Sequence, residues 1–432
     1  MRRNRIAVFM VGTVCLSQVP FGPPCARDIY VPAGASIQQA LVAASPGDTI
    51  VLGPGEHLGN VNIEKDRITL LGSGADITMI RGIHWEYVIM AANATRVQGL
   101  TIADGETGVW AHSDDISVQD CAFTGNHLAL ALGGSFWQRP FAVERSSFWG
   151  NTTGVSVDGG GGGHIRDCQF YGNETGIYCI EASPLINGCL ISSNTWGINA
   201  YDNGTPVVTN CILRGNSVAV LSYGYSNAQL VSSTFWLNNI ALKPIGDYRT
   251  AITVSSSILW GNQRVVDLST GPLGSVDISY SDIEGSWPGA GNIERDPEFV
   301  NPYCLDFRLQ RTSPCIDAGD KNAPELPETD IAGMHRIMFG GESLTVDMGA
   351  YEFYINKLEP VPGTNEAIFT WSSLEDRTYS VFYTDDLFTW HTAIAAFPSS
   401  GNQTTSWLDD GSLTVVPPSL APRRFYRVLE NP

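Results

Sequence analysis

Asp158, Glu181 and Asp202 are the acidic side chains whose spacing most suggests chemistry. Each follows, by seven or eight residues, a member of a recurring set of asparagines: Asn151, Asn173 and Asn194. That spacing predicts carboxylates on neighbouring turns of one repeating structure, roughly 5 Å apart if the turns stack at strand spacing. A file of carboxylates repels itself unless it is protonated or bridged by a cation. Calcium takes several carboxylate oxygens in loose geometry, so calcium would suit such a file. The alternative is three solvated turn acids splayed apart. Near the same turns stand Phe136, Trp137, Tyr201, Tyr223 and Tyr225. These aromatics suit stacking on sugar rings, since each offers an apolar body and, in Tyr and Trp, a polar handle. The chain holds no nucleophile elbow, P-loop, HExxH or EF-hand loop, and its His residues show no metal-ligand spacing.

What must position these residues is a repeat. Residues 164–227 read as three lines, HIRDCQFYGNETGIYCIEASP, LINGCLISSNTWGINAYDNGTP and VVTNCILRGNSVAVLSYGYSN. A Cys or Ser column runs through Cys121, Ser146, Cys168, Cys189, Cys211, Ser233 and Ser257. Two residues on stand Phe123, Phe148, Phe170, Ile191, Leu213, Phe235 and Leu259, and five on stand Asn126, Asn151, Asn173, Asn194, Asn216, Asn238 and Asn262. A unit of about 22 residues built from short period-two runs excludes helical repeats. A leucine-rich repeat has a similar length, but its leucine-dense strand pattern is absent. One line is too short to bury its own apolar face, so the lines must stack. The expected fold is all-β, a right-handed parallel β-helix with one line per coil. Small Cys or Ser fits a crowded inner corner, and the apolar column stacks as core. Asn suits a turn with left-handed backbone, and its amide can bond the Asn above and below.

These lines resemble the right-handed β-helix repeat proteins of the pectin-lyase-like superfamily, over about residues 30–285. The run SIQQALVAASPGDTIVLGPGEHLGNVNIEKDRITLLGSG is similar to the opening of many secreted β-helix proteins. The resemblance implies calcium held by Asp158, Glu181 and Asp202, with Arg139 or Lys243 as the base that abstracts a proton beside a uronate carboxylate. No lyase signature surrounds either basic residue. Three functions therefore compete: polysaccharide binding along the solenoid, with Trp137, Tyr201, Tyr223 and Tyr225 as contacts; a calcium-dependent polysaccharide lyase or a glycoside hydrolase; and a structural or adhesion module of the cell envelope.

Composition narrows the partners. The 432 residues carry a net charge of −19, which argues against nucleic acid, whose binders carry basic patches, and counts against polyanions unless a divalent cation intervenes. Residues 1–26 read as a secretory signal, with Arg2, Arg3 and Arg5 before an apolar run from Ile6 to Val19 that is too short for a membrane span. A secreted or surface-held monomer is expected. Ser36 with Gln39 makes a capping-box pattern for a short helix closing the N-terminal end of the solenoid. The β-helix is placed at 27–285. Residues 286–355, with their DPEFVNPYCLDFRLQRTSPCIDAGD and VDMGAYEF segments, are placed as its C-terminal cap, and 356–432 as a small β-sandwich. Asp306, Asp317, Asp320, Asp330 and Asp347 suit either calcium or local backbone bonds. Cys304 and Cys315, outside the repeat, are candidates for a disulfide. Trp149, Trp236 and Trp260 are expected to form an outer packing ridge. Trp371 and Trp390 are assigned to packing within the C-terminal domain rather than to sugar contact.

Overall fold

The computed structural model describes residues 26–83, 86–111, 115–133, 140–160, 162–246, 249–269, 274–339, 344–401, 404–414, 416–421 and 423–431. The signal-like segment, apart from Ala26, lies outside them. Each coil supplies three short strands, for example His164–Arg166, Gln169–Tyr171 and Thr175–Ile180, and each strand joins a different sheet. Among the described residues these build three parallel sheets of 12, 11 and 10 strands, called here first, second and third in coil order. Strand pairing follows the coil repeat, so Ile165 pairs with Ile186, Phe170 with Ile191 and Ile177 with Ile198.

The inner columns are those read from sequence. Phe123, Phe148 and Phe170 stack at 4.7 and 4.8 Å between ring centroids, close to the strand spacing itself. In the corner column every Cys or Ser from Cys121 to Ser257 is buried. The serines there do the same work as the cysteines: Ser146 Oγ accepts from Cys121 N–H at 3.2 Å, and Cys211 Sγ accepts from Cys189 N–H at 3.4 Å. The asparagines form an amide ladder. Asn194 Oδ1 accepts from both the backbone N–H (3.0 Å) and the Nδ2 (3.1 Å) of Asn173, while Asn194 Nδ2 donates to Phe170 O at 3.1 Å. Left-handed backbone falls one residue earlier than expected, on Gly172 (φ 65°), Ser193 (φ 55°) and Gly215 (φ 61°) rather than on the asparagines. Glycine recurs there because φ near +60° is free of a Cβ clash only for Gly. The Asn that follows is chosen for its hydrogen bonds, not its dihedrals.

Both solenoid ends are closed. At the N-terminal end the helix Ile37–Ala43 inserts Ile37 and Leu41 into the core, and Ser36 Oγ caps Gln39 N–H at 3.3 Å. At the C-terminal end Trp287 packs on the last coils from a loop whose Ile293 bridges to Asp282. The longer segment beyond it continues the same 286–355 stretch as a tail. Phe299, Phe307, Leu309, Cys315, Met348 and Ala350 lie against the outward-facing Ile212, Trp236 and Ile258, so this tail covers the side of the second sheet. Of the tryptophan ridge, Trp236 and Trp260 pack under this tail, and Phe299, Tyr303 and Phe307 meet the Trp236 ring edge-on at 5.6, 6.0 and 6.2 Å, while Trp149 stacks on Tyr171. Acids of the tail bond nearby backbone. Asp330 Oδ1 takes Ala332 and Met334 N–H, both at 2.8 Å, and Asp320 Oδ1 takes Asn322 N–H at 2.9 Å.

No disulfide joins Cys304 and Cys315. Cys304 is exposed, whereas Cys315 is buried and its thiol donates to Asp282 Oδ2 at 3.2 Å. Burial pushes the Cys121 and Cys179 thiols up to about 12 and those of Cys168, Cys189 and Cys315 well above their usual range. The thiolate is the reactive form. Of the seven described cysteines, Cys304 alone should then react rapidly with a thiol reagent in native buffer, and all seven after denaturation. A second fast thiol among these seven would contradict this packing.

Past residue 355 the chain forms two antiparallel three-stranded sheets around Phe369, Trp371, Tyr379, Val381 and Trp407, the small sandwich expected. Trp371 is core, and Trp390 lies under the Arg427 guanidinium, 4.8 Å from ring centroid.

Candidate functional site

Strand alternation decides what the third sheet shows to solvent. Val157, Cys179, Ala200 and Ser222 point inward, so their neighbours Asp158, Ile180, Tyr201, Tyr223 and Ile245 form one outward column in register. A second outward column runs Trp110, Ala131, Ser156, Tyr178, Asn199, Leu221 and Lys243. Tyr178 meets Tyr201 at 6.0 Å and Tyr201 stacks on Tyr223 at 5.2 Å. Tyr223 and Tyr225 are 40% and 43% exposed, and the Arg249 guanidinium sits 3.8 Å from the Tyr225 ring centroid. The result is a row of phenols, with Trp110 further along the same sheet. Tyr201 and Tyr223 turn faces toward each other, so they offer solvent ring edges and hydroxyls rather than open faces. Asn199 Oδ1, buried and without a hydrogen-bond partner, shares the column of Tyr178.

The three acids separate. Asp158 heads the tyrosine column, paired with Ile180, and its carboxylate leans over Gly133 so closely that a Cβ there would collide with Oδ1. Glu181 and Asp202 occupy the next position, in left-handed turn backbone (φ 51° and 39°), with Glu181 N–H donating to Asp202 O at 3.0 Å. The eighth residue after Asn151 is Gly159, not an acid. The expected file of three carboxylates is therefore a pair plus a neighbour in a different column. In a strand one residue of offset changes which side a group faces. Among the described residues no group of three or more His, Cys, Asp or Glu is arranged to hold a metal.

Lys243 ends the second outward column, its Nζ 3.4 Å from Asp267 Oδ2, and Arg264 holds Oδ1 of the same carboxylate at 2.8 Å. The Ser269 hydroxyl, then its N–H, then Arg264 and Lys243 keep Asp267 ionised down to about 2. An ammonium tied in such a pair has no lone pair with which to take a proton, which counts against Lys243 as a base. Arg139, Trp137 and Phe136 lie outside the described residues.

Several groups escape a reading by sequence. Tyr178 and Trp110 stand inside apolar lines, where only the strand register shows that they point outward. Arg336, Asn210, Glu352 and Asp347 form a buried polar cluster that joins the tail to the solenoid; acids inside the apolar run TVDMGAYEF are the one sequence hint. A cavity of about 680 Å³ lies elsewhere. It opens between the tail loop 332–335 and the sandwich strands bearing Phe369, Trp371 and Tyr426, with a His335–Glu430 contact of 3.3 Å among its lining residues.

Residues 82–235 match the family described as "Right handed beta helix region". Similar solved structures include an alginate lyase from Paenibacillus sp. str. FPU-7, at 15% identity over 58% of this chain and 99% of that one, with a TM-score of 0.44. The catalytic domain of a GH87 alpha-1,3-glucanase in complex with nigerose is 10% identical over 63% of this chain and 70% of that one, at 0.38. A pectin methylesterase from carrot is 13% identical over 68% of this chain and 99% of that one, at 0.27. No curated protein matches the chain. No helix among the described residues is long and apolar enough to cross a membrane. With its coils stacked in three parallel sheets, the chain folds as a parallel β-helix, and its residues 82–235 match the right-handed β-helix family.

Proposed function

We propose that this protein binds polysaccharide along the outer face of its third sheet. The observation that carries the reading is the row Tyr178, Tyr201 and Tyr223, joined by Tyr225, on one outward sheet face. Phenols combine apolar edge with a hydroxyl that both donates and accepts, a match for the mixed surface of a sugar. Because strands hold the rings, little side-chain freedom is lost on binding. Contact through edges and hydroxyls replaces the ring-face stacking first expected. A lyase reading would need a base, and the described candidate, Lys243, is engaged by Asp267. On the binding reading the protein works outside the cytoplasm, after loss of residues 1–26.

Affinity electrophoresis against a panel of soluble polysaccharides tests the proposal. Retention by at least one polymer is expected. The double variant Tyr201→Ala/Tyr223→Ala should weaken it by about tenfold, with unchanged circular dichroism, since two aromatic contacts of ~0.5–1.5 kcal/mol each are removed. No retention by any polymer, or equal retention of the variant, would overturn it.

A further inference from the structure

We infer that the glycan taken by this face is uncharged; the inference rests on the binding role proposed above and narrows its ligand. Carboxylates flank the tyrosine row, Asp158 at its head and Glu181 and Asp202 one residue beyond Ile180 and Tyr201. A polyuronate brings one carboxylate per sugar, so several would lie beside these acids. Like charges that close repel, and the net charge of −19 adds repulsion on approach, within a Debye length of about 8 Å at physiological salt. Cations arrive late along the row. Lys243 and Arg264 share the single carboxylate of Asp267, and Arg249 rests on the Tyr225 ring.

The same acids suit a neutral chain. An ionised carboxylate is acceptor-only, and a sugar hydroxyl donating to it makes a charge-assisted hydrogen bond. Asn203 Nδ2 donates to Asp202 Oδ1 at 3.2 Å and leaves Oδ2 for a further donor, while Glu181 is exposed. Phenol hydroxyls supply donors from the middle of the row. A hydroxyl-rich, uncharged polymer can satisfy both sets of groups; a polyanion satisfies one and is repelled by the other.

The test uses the intact protein in affinity electrophoresis on neutral glucans, xylans and mannans, and on polygalacturonate and alginate, each with calcium and with EDTA. Retention on a neutral polymer, little changed by added salt, and none on either polyuronate is the expected result. Retention on a polyuronate but on no neutral polymer, with or without calcium, overturns the inference and leaves the binding role standing. Retention on nothing overturns the binding role itself, and the inference with it. The variant Glu181→Lys/Asp202→Lys changes turn residues that reach solvent and should gain about tenfold on polygalacturonate; no gain would show that these acids are not what excludes uronates, and would overturn the inference too.

Discussion

Asn194→Ala should lower stability by about 2–6 kcal/mol, a large effect for a residue that touches no ligand. Two buried backbone groups lose their partners, Asn173 N–H and Phe170 C=O, at ~1–3 kcal/mol each. The side-chain bonds to Asn173 Nδ2 and Asn216 Oδ1 go as well. Asn262, at the C-terminal end of the ladder and partly exposed, gives the comparison: it bonds an Asn on one side only, Asn238, and Asn262→Ala should be milder. Each coil touches only its neighbours, so the damage should stay local, with faster proteolysis in the turns around residues 173–216. Urea midpoints of the two variants and the parent, with the cleavage sites mapped, check this. Equal midpoints would mean that the amide column does not hold the coils together.

That ladder was readable from sequence because stacking makes each repeat face the same surroundings. Once seven asparagines share a period, the hydrogen-bonding partner of one is the next. The Phe column and the Cys or Ser column follow by the same logic, and with them the fold. Their chemistry is repeated, so an error at one position is corrected at six others.

The site had no such redundancy. Spacing from the asparagines puts Asp158 in a file with Glu181 and Asp202, but the strand 153–158 sets it in the tyrosine column instead. A slip of one residue is invisible in a helix-like count and decisive in a strand. Tyr178 was missed for the same reason, and the mutual stacking of Tyr201 and Tyr223 depends on ring orientation, which sequence does not carry. The tail is a clearer case still. Arg336 finds Asn210 across 126 residues, and nothing periodic links them. A solenoid's need for an end cap places 286–355 after the coils, but no period shows that Phe299 and Phe307 lie against the side of the second sheet.

Arg336→Leu should free that tail. The guanidinium is 1% exposed and binds Glu352 Oε1 at 2.7 Å, Asn210 Oδ1 at 2.6 and 3.1 Å, Ala350 O at 3.0 Å and Ser232 O at 3.3 Å. Removing one partner of a buried ion pair costs about 3–5 kcal/mol, because the other charge stays buried and alone. Here two carboxylates are stranded, Glu352 and the adjacent Asp347, and burial already pushes Glu352 up and Asp347 up to about 7. A carboxyl raised in the folded state favours folding while protonated, and that contribution fades as pH climbs from its unfolded value near 3.8 toward 7. The defect in Arg336→Leu should therefore be worst at about pH 8 and smaller at about pH 5, whereas loss of a surface ion pair, its carboxylate ionised at both, would give a nearly constant defect over that range. Limited proteolysis should cut within 296–355 while the coil signal in circular dichroism persists. Adding Glu352→Gln removes one stranded charge and should restore part of the protection at the higher pH, though Asn210 Oδ1 still lacks its donors. Cleavage rates equal to the parent at both pH values would show that hydrophobic contacts at Trp236 and Ile258 hold the tail without the ion pair. Cleavage in the coils rather than the tail would show that the cluster stabilises the solenoid itself.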